Sequence, residues 1–290
     1  MNFRLVFKAL TDYEPLRWQE RLYIQMQSGR LPDVCDLPTG LGKTSVIPIW
    51  LIALASGIEA GQRSKLPRRL IYIVNRRTVV DQATFLTEKL RERIEAQNSQ
   101  TNDANDPLGW LRATLNKARA NPNGPTLAIS TLRGELADNE EWKSDPARPA
   151  IIVGTIDMIG SKLLFAGYGD SYKLRPHHAG LVGQDALIIH DEAHLTPAFS
   201  DLLQAVIKEQ RQCKEARPIA VLELSATASD TADREVFSLQ PELDELDALV
   251  RQRLSAQKPL HLHEDETATL PETIVQLALE HEAKACKVLI

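Results

Sequence analysis

Hydrophobic positions along the chain gather into short continuous runs separated by longer stretches of mixed polarity. The runs are Val34 to Leu37, Leu70 to Val74, Thr126 to Ser130, Ala150 to Gly154, Ala186 to His190 and Ile219 to Leu224, each the length of one strand. A strand with one wet face alternates apolar and polar residues, whereas a strand covered on both faces is apolar throughout. These runs are of the second kind. The stretches between them carry helical patterning, best at Ser45 to Ala55, Thr78 to Ala96, Leu108 to Ala118, Ile156 to Phe165 and Ala198 to Gln212. Alternation of this type predicts an α/β domain, a doubly wound, mostly parallel sheet of about six strands with helices on both faces.

Polar, turn-rich segments at Gln97 to Asp106 and Asn121 to Pro125 read as surface loops flanking an insertion. After Ser229 the pattern changes to an acidic helical segment from Leu239 to Leu254, a short strand around Leu260 to His263 and a helix from Pro271 to Ala283. Lys287 to Ile290 begin a further apolar run and stop within it, which suggests a piece of something longer.

Composition narrows the function classes. The chain has 290 residues, room for one large domain with extra elements. No apolar run approaches the roughly 18 residues of a membrane span, and the N-terminus has no signal-sequence character, so we expect a cytoplasmic protein without membrane attachment. Cys35, Cys213 and Cys286 lie far apart, which argues against disulfides and zinc and for reduced, mostly buried thiols. A net charge of −5 does not advertise a nucleic-acid binder. A protein that grips a strand through loop amides, hydroxyls and a few arginines needs only a local basic strip.

Three motifs carry chemistry. The first is DLPTGLGKTS, Asp36 to Ser45, between a strand and a helix. Triphosphates are cradled by inward backbone N–H groups in a loop free of bulky Cβ atoms. Thr39, Gly40, Leu41 and Gly42 fit such a loop; Lys43 brings a compact charge to the β and γ phosphates, Thr44 a hydroxyl for magnesium, and Ser45 opens the helix. Leu37 stands where the strict phosphate-loop pattern has glycine. The second motif, LIIHDEAHL from Leu187 to Leu195, follows an apolar strand. On the strand neighbouring the phosphate loop, Asp191 fits a magnesium ligand and Glu192 the carboxylate that orients the attacking water, with His194 relaying the state of the γ-phosphate. The third is LELSATAS, where Ser225 and Thr227 follow another strand and are placed to couple phosphate release to the second motif.

The order GLGKT, DEAH, SAT resembles the superfamily 2 helicases and covers nearly the whole chain. The resemblance implies a RecA-like P-loop NTPase domain using ATP and Mg2+. It implies that Gln19, in PLRWQERLY, reads the adenine edge, with Tyr13 or Trp18 near the ring. It also assigns three segments to strand binding: IVNRRTVVDQ, STLRGE and VGTIDMIGSKLLFAGYG. All follow strands, at the sheet edge away from ATP, where Arg76, Arg77, Thr131, Arg133, Gly134, Thr155 and Asp157 are candidates for phosphate and sugar contacts.

Those segments together resemble the helicase part of the CRISPR-associated helicase-nuclease of type I interference systems. The resemblance implies an ATP-driven motor on single-stranded DNA, recruited by a Cascade-type surveillance complex and joined to an HD-type nuclease that we do not see in this chain. His177 and His178 read as a loop and His190 as part of the DEAH strand, so no nuclease metal site is expected. Residues 1–230 would be the first RecA-like lobe, and 231–290 a linker and the start of a truncated second lobe. The alternatives are a non-catalytic nucleotide-sensing fragment that needs a partner lobe, or a DEAH helicase of RNA or restriction systems.

Overall fold

A computed structural model describes residues 1–61, 66–96, 106–132, 141–225, 234–257 and 269–280. One compact unit runs from Met1 to Arg253, and a second comprises Leu254 to Ile290. In the first, seven strands form one sheet: β1 (Val34–Asp36), β2 (Arg69–Val74), β3 (Ala128–Leu132), β4 (Ala150–Thr155), β5 (Ala186–Asp191), β6 (Ala220–Ser225) and β7 (Val236–Ser238). Their order is β3-β4-β2-β5-β6-β1-β7, and every pairing is parallel. All carboxyl ends therefore open on one edge, where the loops of such sheets build sites.

Strand periodicity sorts the apolar residues into two cores. Leu70, Tyr72 and Val74 of β2 face one side with Leu187 and Ile189 of β5 and Leu222 and Leu224 of β6. Ile71, Ile73, Ile188 and Val221 face the other. On the first side lie α1 (Phe3–Thr11), α2 (Arg17–Gln27), α3 (Val46–Glu59), α4 (Arg77–Glu95) and α5 (Pro107–Asn116). Around the second lie α6 (Glu141–Ser144), α7 (Ile156–Leu163), α8 (Arg175–Gly183) and α9 (Pro197–Gln212). Val46 through Ala55 of α3 are buried without a break. A helix apolar all round must be enclosed, and α3 packs between the sheet and α1, α2 and α5.

Six expected strands are present within one or two residues of their predicted bounds, as are four of the five helices; the fifth, α3, runs four residues past its predicted end at Ala55, to Glu59. The differences have physical reasons. α1 has a short but regular apolar stripe, Phe3, Val6, Phe7 and Leu10, with Asn2 capping the Arg4 amide at 2.9 Å. His177 and His178 are not in a loop; they lie in α8, opened by Pro176 in the first turn. Cys35 is buried but Cys213 is exposed, so the thiols described are not both interior. β7 is only three residues long with a single inward side chain, Phe237, too little for a periodicity. It adds to the sheet beside β1, and α10 (Pro241–Asp244) and most of α11 (Ala248–Ser255) follow within the first unit, beyond the expected boundary at 230. Asp244 is fully buried and bonded to Arg21 of α2 at 2.5 Å, and Asp247 accepts from the Arg17 amide at 2.7 Å. In the second unit, α12 (Leu270–Leu279) is described; the expected strand at Leu260 to His263 lies outside the described residues. Among the described residues no helix is long and apolar enough to cross a membrane.

Candidate active site

The loop after β1 makes two left-handed bends, Gly40 at φ +83 and Gly42 at φ +76. Side chains with a Cβ adopt that region at a cost of roughly 1–2 kcal/mol, so glycine belongs there. A turn of 3-10 helix, Lys43–Ser45, then leads into α3. Thr39 and Gly40 are exposed, whereas the Leu41 side chain is in the core, which leaves Leu41 only its backbone for a ligand. The ammonium nitrogen of Lys43 is enclosed and has no hydrogen-bond partner among the described residues. A buried cation without a partner is costly, and a phosphate chain would supply the missing acceptors.

β6 lies between β1 and β5, so the DEAH strand is not the immediate neighbour of the phosphate-loop strand, as expected, but the next one along. Register still keeps the strand ends level: Asp36 of β1 pairs with Ser225 of β6, and Leu224 pairs with Asp191 of β5. Three motif strands thus end side by side. Ser225 is buried between the other two, and its carbonyl accepts from the Leu37 amide at 3.1 Å. Thr227 lies outside the described residues.

Asp191 has the parity of Leu187 and Ile189, which brings it to the α3 face. There its Oδ2 accepts a hydrogen bond of 2.7 Å from the Tyr72 hydroxyl. Burial raises the Asp191 pKa and the Glu192 charge adds to this, while Tyr72 and the nearby Lys43 oppose it. Burial together with the adjacent Asp191 lifts the Tyr72 phenol well above its ordinary range, with the Thr44 hydroxyl acting the other way. Lys43, Thr44, Tyr72 and Asp191 therefore meet at one place. Tyr72 could not be singled out from sequence, where it is one more apolar residue of a buried strand. Glu192 sits at φ +54, a bend that turns the chain out of β5, and its carboxylate lies 3.5 Å from His194 Nε2. On the opposite face His190 is wholly buried. Its ring contacts the Thr196 hydroxyl at 2.9 Å and the Ser200 hydroxyl at 3.3 Å, edge-on to Phe199, and burial lowers its pKa from 6.5 to about 4.

Gln19 is brought to the loop, but its amide is engaged. Its Oε1 accepts from the Leu16 amide and its Nε2 donates to Ser45 Oγ, both at 2.8 Å. Trp18 is completely buried in the core and cannot reach a base, whereas Tyr13 is 75 % exposed. Tyr13 lines a cavity of about 570 Å³ together with Gln19, Gly40, Thr44, Ser45 and Phe85. The Arg253 guanidinium of α11, unforeseen from sequence, reaches the loop: a Cβ on Gly40 would stand 3.1 Å from its Nη1.

The strand-contact candidates occupy the ends of β2, β3 and β4. Arg76 is exposed at the cap of α4, and Arg77 opens that helix. β2 is central, next to β5, and not at the sheet edge; β4 and β3 lie progressively farther from the phosphate loop. Thr131 is inside β3, its hydroxyl 3.0 Å from that of Thr84. Thr155 caps α7 and Asp157 is exposed in its first turn. Arg133 and Gly134 lie outside the described residues. Beyond α7, buried Asp170 accepts from Lys162 Nζ and pairs with His178 Nδ1, each at 2.7 Å, beneath Trp142.

A parallel sheet with a glycine-bent phosphate loop, an enclosed lysine and a DEAH carboxylate two strands away defines a RecA-like P-loop NTPase domain. Residues 13–230 match the family described as "Type III restriction enzyme, res subunit", and the chain belongs to that family, whose domain is a helicase-type ATP-binding domain. No curated protein matches its sequence. Among solved structures it is similar to the Mycobacterium smegmatis helicase Lhr bound to ssDNA and AMP-PNP, with a TM-score of 0.52 at 14% identity over 96% of this chain and 32% of that one. The Pyrococcus furiosus Hef helicase domain gives a TM-score of 0.44 at 18% identity, over 92% of this chain and 45% of that one. The chain thus spans less than half the length of either.

Proposed function

We propose that this is the ATP-binding lobe of an ATP-driven DNA translocase acting in the cytoplasm, working with a second RecA-like lobe. One observation carries the reading: the enclosed, unpartnered Lys43 ammonium stands within electrostatic reach of Asp191, with Thr44 and Tyr72 between segments far apart in sequence. The donor set suits a hard divalent cation, since Thr44 and Asp191 offer oxygen only. Mg2+ bound there would neutralise charge on the β and γ phosphates. Lys43 holds the phosphates, the bends at Gly40 and Gly42 turn the loop's amides toward them, and Glu192 orients the attacking water. His194, beside Glu192, and Ser225, between β1 and β5, are positioned to respond when phosphate leaves. The arginine that completes the charge stabilisation comes from the second lobe.

The finer assignment is to the CRISPR-associated helicase-nuclease of type I systems, with single-stranded DNA at Arg76, Arg77, Thr131, Arg133, Gly134, Thr155 and Asp157, a Cascade-type complex as recruiter and an HD-type nuclease domain as companion. It is supported by the segments NRRTVVDQ, TLRGE, GTIDMIGSKLLFAGYG and LIIHDEAHL taken together. A second reading, the motor subunit of a restriction enzyme, is favoured by the family description. Fluorescent-nucleotide titration and ATPase assays with single-stranded DNA, duplex DNA and RNA test both. Lys43→Ala should abolish nucleotide binding, while Glu192→Gln should bind ATP and fail to cleave it in the two-lobed motor. Stimulation by single-stranded DNA is expected; stimulation by duplex DNA alone supports the restriction reading. Normal hydrolysis by Glu192→Gln moves the water-orienting role elsewhere.

A further inference from the structure

Tyr72 belongs to β2, yet its hydroxyl ends among residues of two other segments. It donates to Asp191 Oδ2 at 2.7 Å, and the Thr44 hydroxyl interacts with the same phenol. These are the two groups read above as cation ligands. The ring is 1 % accessible and continuous with Leu70 and Val74 in the core. Phenylalanine would serve such packing equally well, and a buried hydroxyl is costly unless it is bonded. The hydroxyl therefore stands where only a polar task justifies it.

The geometry points to Tyr72 as a positioning residue for the cation that accompanies the nucleotide, a role that rests on Asp191 and Thr44 being its ligands. A carboxylate rotates broadly about its last torsion, with no strong preference of its own. A donor fixed on Oδ2 by a rigid, enclosed ring removes that freedom and leaves Oδ1 for the ion or its water. The Thr44 hydroxyl acts on the same phenol, which places Tyr72 next to both ligands. Such outer partners orient metal ligands and change affinity when removed.

The test is Mn2+ binding to the full chain saturated with AMP-PNP, followed by electron paramagnetic resonance for the unaltered protein, Tyr72→Phe and Asp191→Asn. Tyr72→Phe should weaken Mn2+ binding about tenfold, the low end of the usual effect of losing such a partner. Its affinity for a fluorescent ADP in EDTA should stay unchanged, because the phosphate contacts are untouched. Mn2+ binding in Tyr72→Phe as tight as in the unaltered chain, or tighter, overturns the proposal. If Asp191→Asn loses Mn2+ while Tyr72→Phe does not, the cation site stands and the role of Tyr72 falls. If neither changes, both fall. Tyr72→Met, which fills similar volume without a donor, is expected to lose the same affinity and replaces Tyr72→Phe should that variant not fold.

Discussion

Replacing His190 by glutamine isolates a buried titration next to the DEAH carboxylates. The imidazole is wholly enclosed on β5, and burial takes its pKa from 6.5 to about 4. Unfolded, the ring takes up a proton as pH falls through 6.5; folded, it remains neutral until about pH 4. Between these values the unfolded state binds about one proton more, so stability rises with pH by about 1.4 kcal/mol per unit. Stabilisation from the neutral ring is complete above pH 6.5, declines as the solution is acidified and levels off below about pH 4. The decline is about 2 kcal/mol from pH 7.5 to 5.0, with a limit of about 3.4 kcal/mol over the whole window. Glutamine cannot take the proton, yet it offers polar atoms to Thr196 and Ser200. Urea titrations of both proteins across that range give two curves whose difference cancels the carboxylates they share. The difference in unfolding free energy, unaltered minus variant, should fall by about 2 kcal/mol between pH 7.5 and 5.0. A difference constant to within about 0.5 kcal/mol would mean that His190 is not held neutral by the fold.

Gly40→Ala forces a Cβ into a left-handed bend and against Arg253, at a cost of about 1–2 kcal/mol, and nucleotide affinity should fall about tenfold in a fluorescence titration. An unchanged affinity means that the bend does not hold the ligand. Gln19→Ala removes the bonds to Leu16 and Ser45, which should cost about 1 kcal/mol of stability and weaken ATP and GTP alike. A loss confined to ATP would return Gln19 to reading adenine. Asp170→Asn leaves the Lys162 ammonium, 3 % exposed, without its counter-charge; a loss of about 3–5 kcal/mol is expected in denaturant titration, and none would show the cluster to be dispensable.

The sheet was legible because strands buried on both faces are mostly apolar on both, and six of them carry such runs, interrupted only by isolated polar residues such as Ser130 and Glu223. β7 was not, since three residues carry no period. That Lys43, Thr44 and Asp191 lie near one another could be expected because phosphate and metal chemistry restrict residue type and spacing. Tyr72 and Arg253 could not, because what matters about each is a meeting across the sheet or between loop and helix. Trp18 shows the converse: an aromatic beside a motif suggested a base contact, but an apolar stripe with Leu22 and Met26 draws it into the core. Gln19 is intermediate: it lies at the loop, but its amide is occupied there by its own helix cap and by Ser45.

The two faces of β5 explain how one motif can serve two neighbours. Asp191 turns toward α3 and is held by Tyr72, whose strand continues two residues further and then through Asn75 to the exposed Arg76. His190 turns the other way and fastens Thr196 and Ser200, the segment just beyond His194 and Glu192. Packed cores do not deform continuously, so a shift of the Asp191 carboxylate has two stiff outlets. One is β2, bonded to Asp191 through Tyr72 and leading to the proposed strand contact at Arg76. The other is the turn that sets Glu192 and His194. In the motor proposed above no long chain of contacts would be needed between nucleotide and nucleic-acid strand, because β2 and β5 are adjacent and in register.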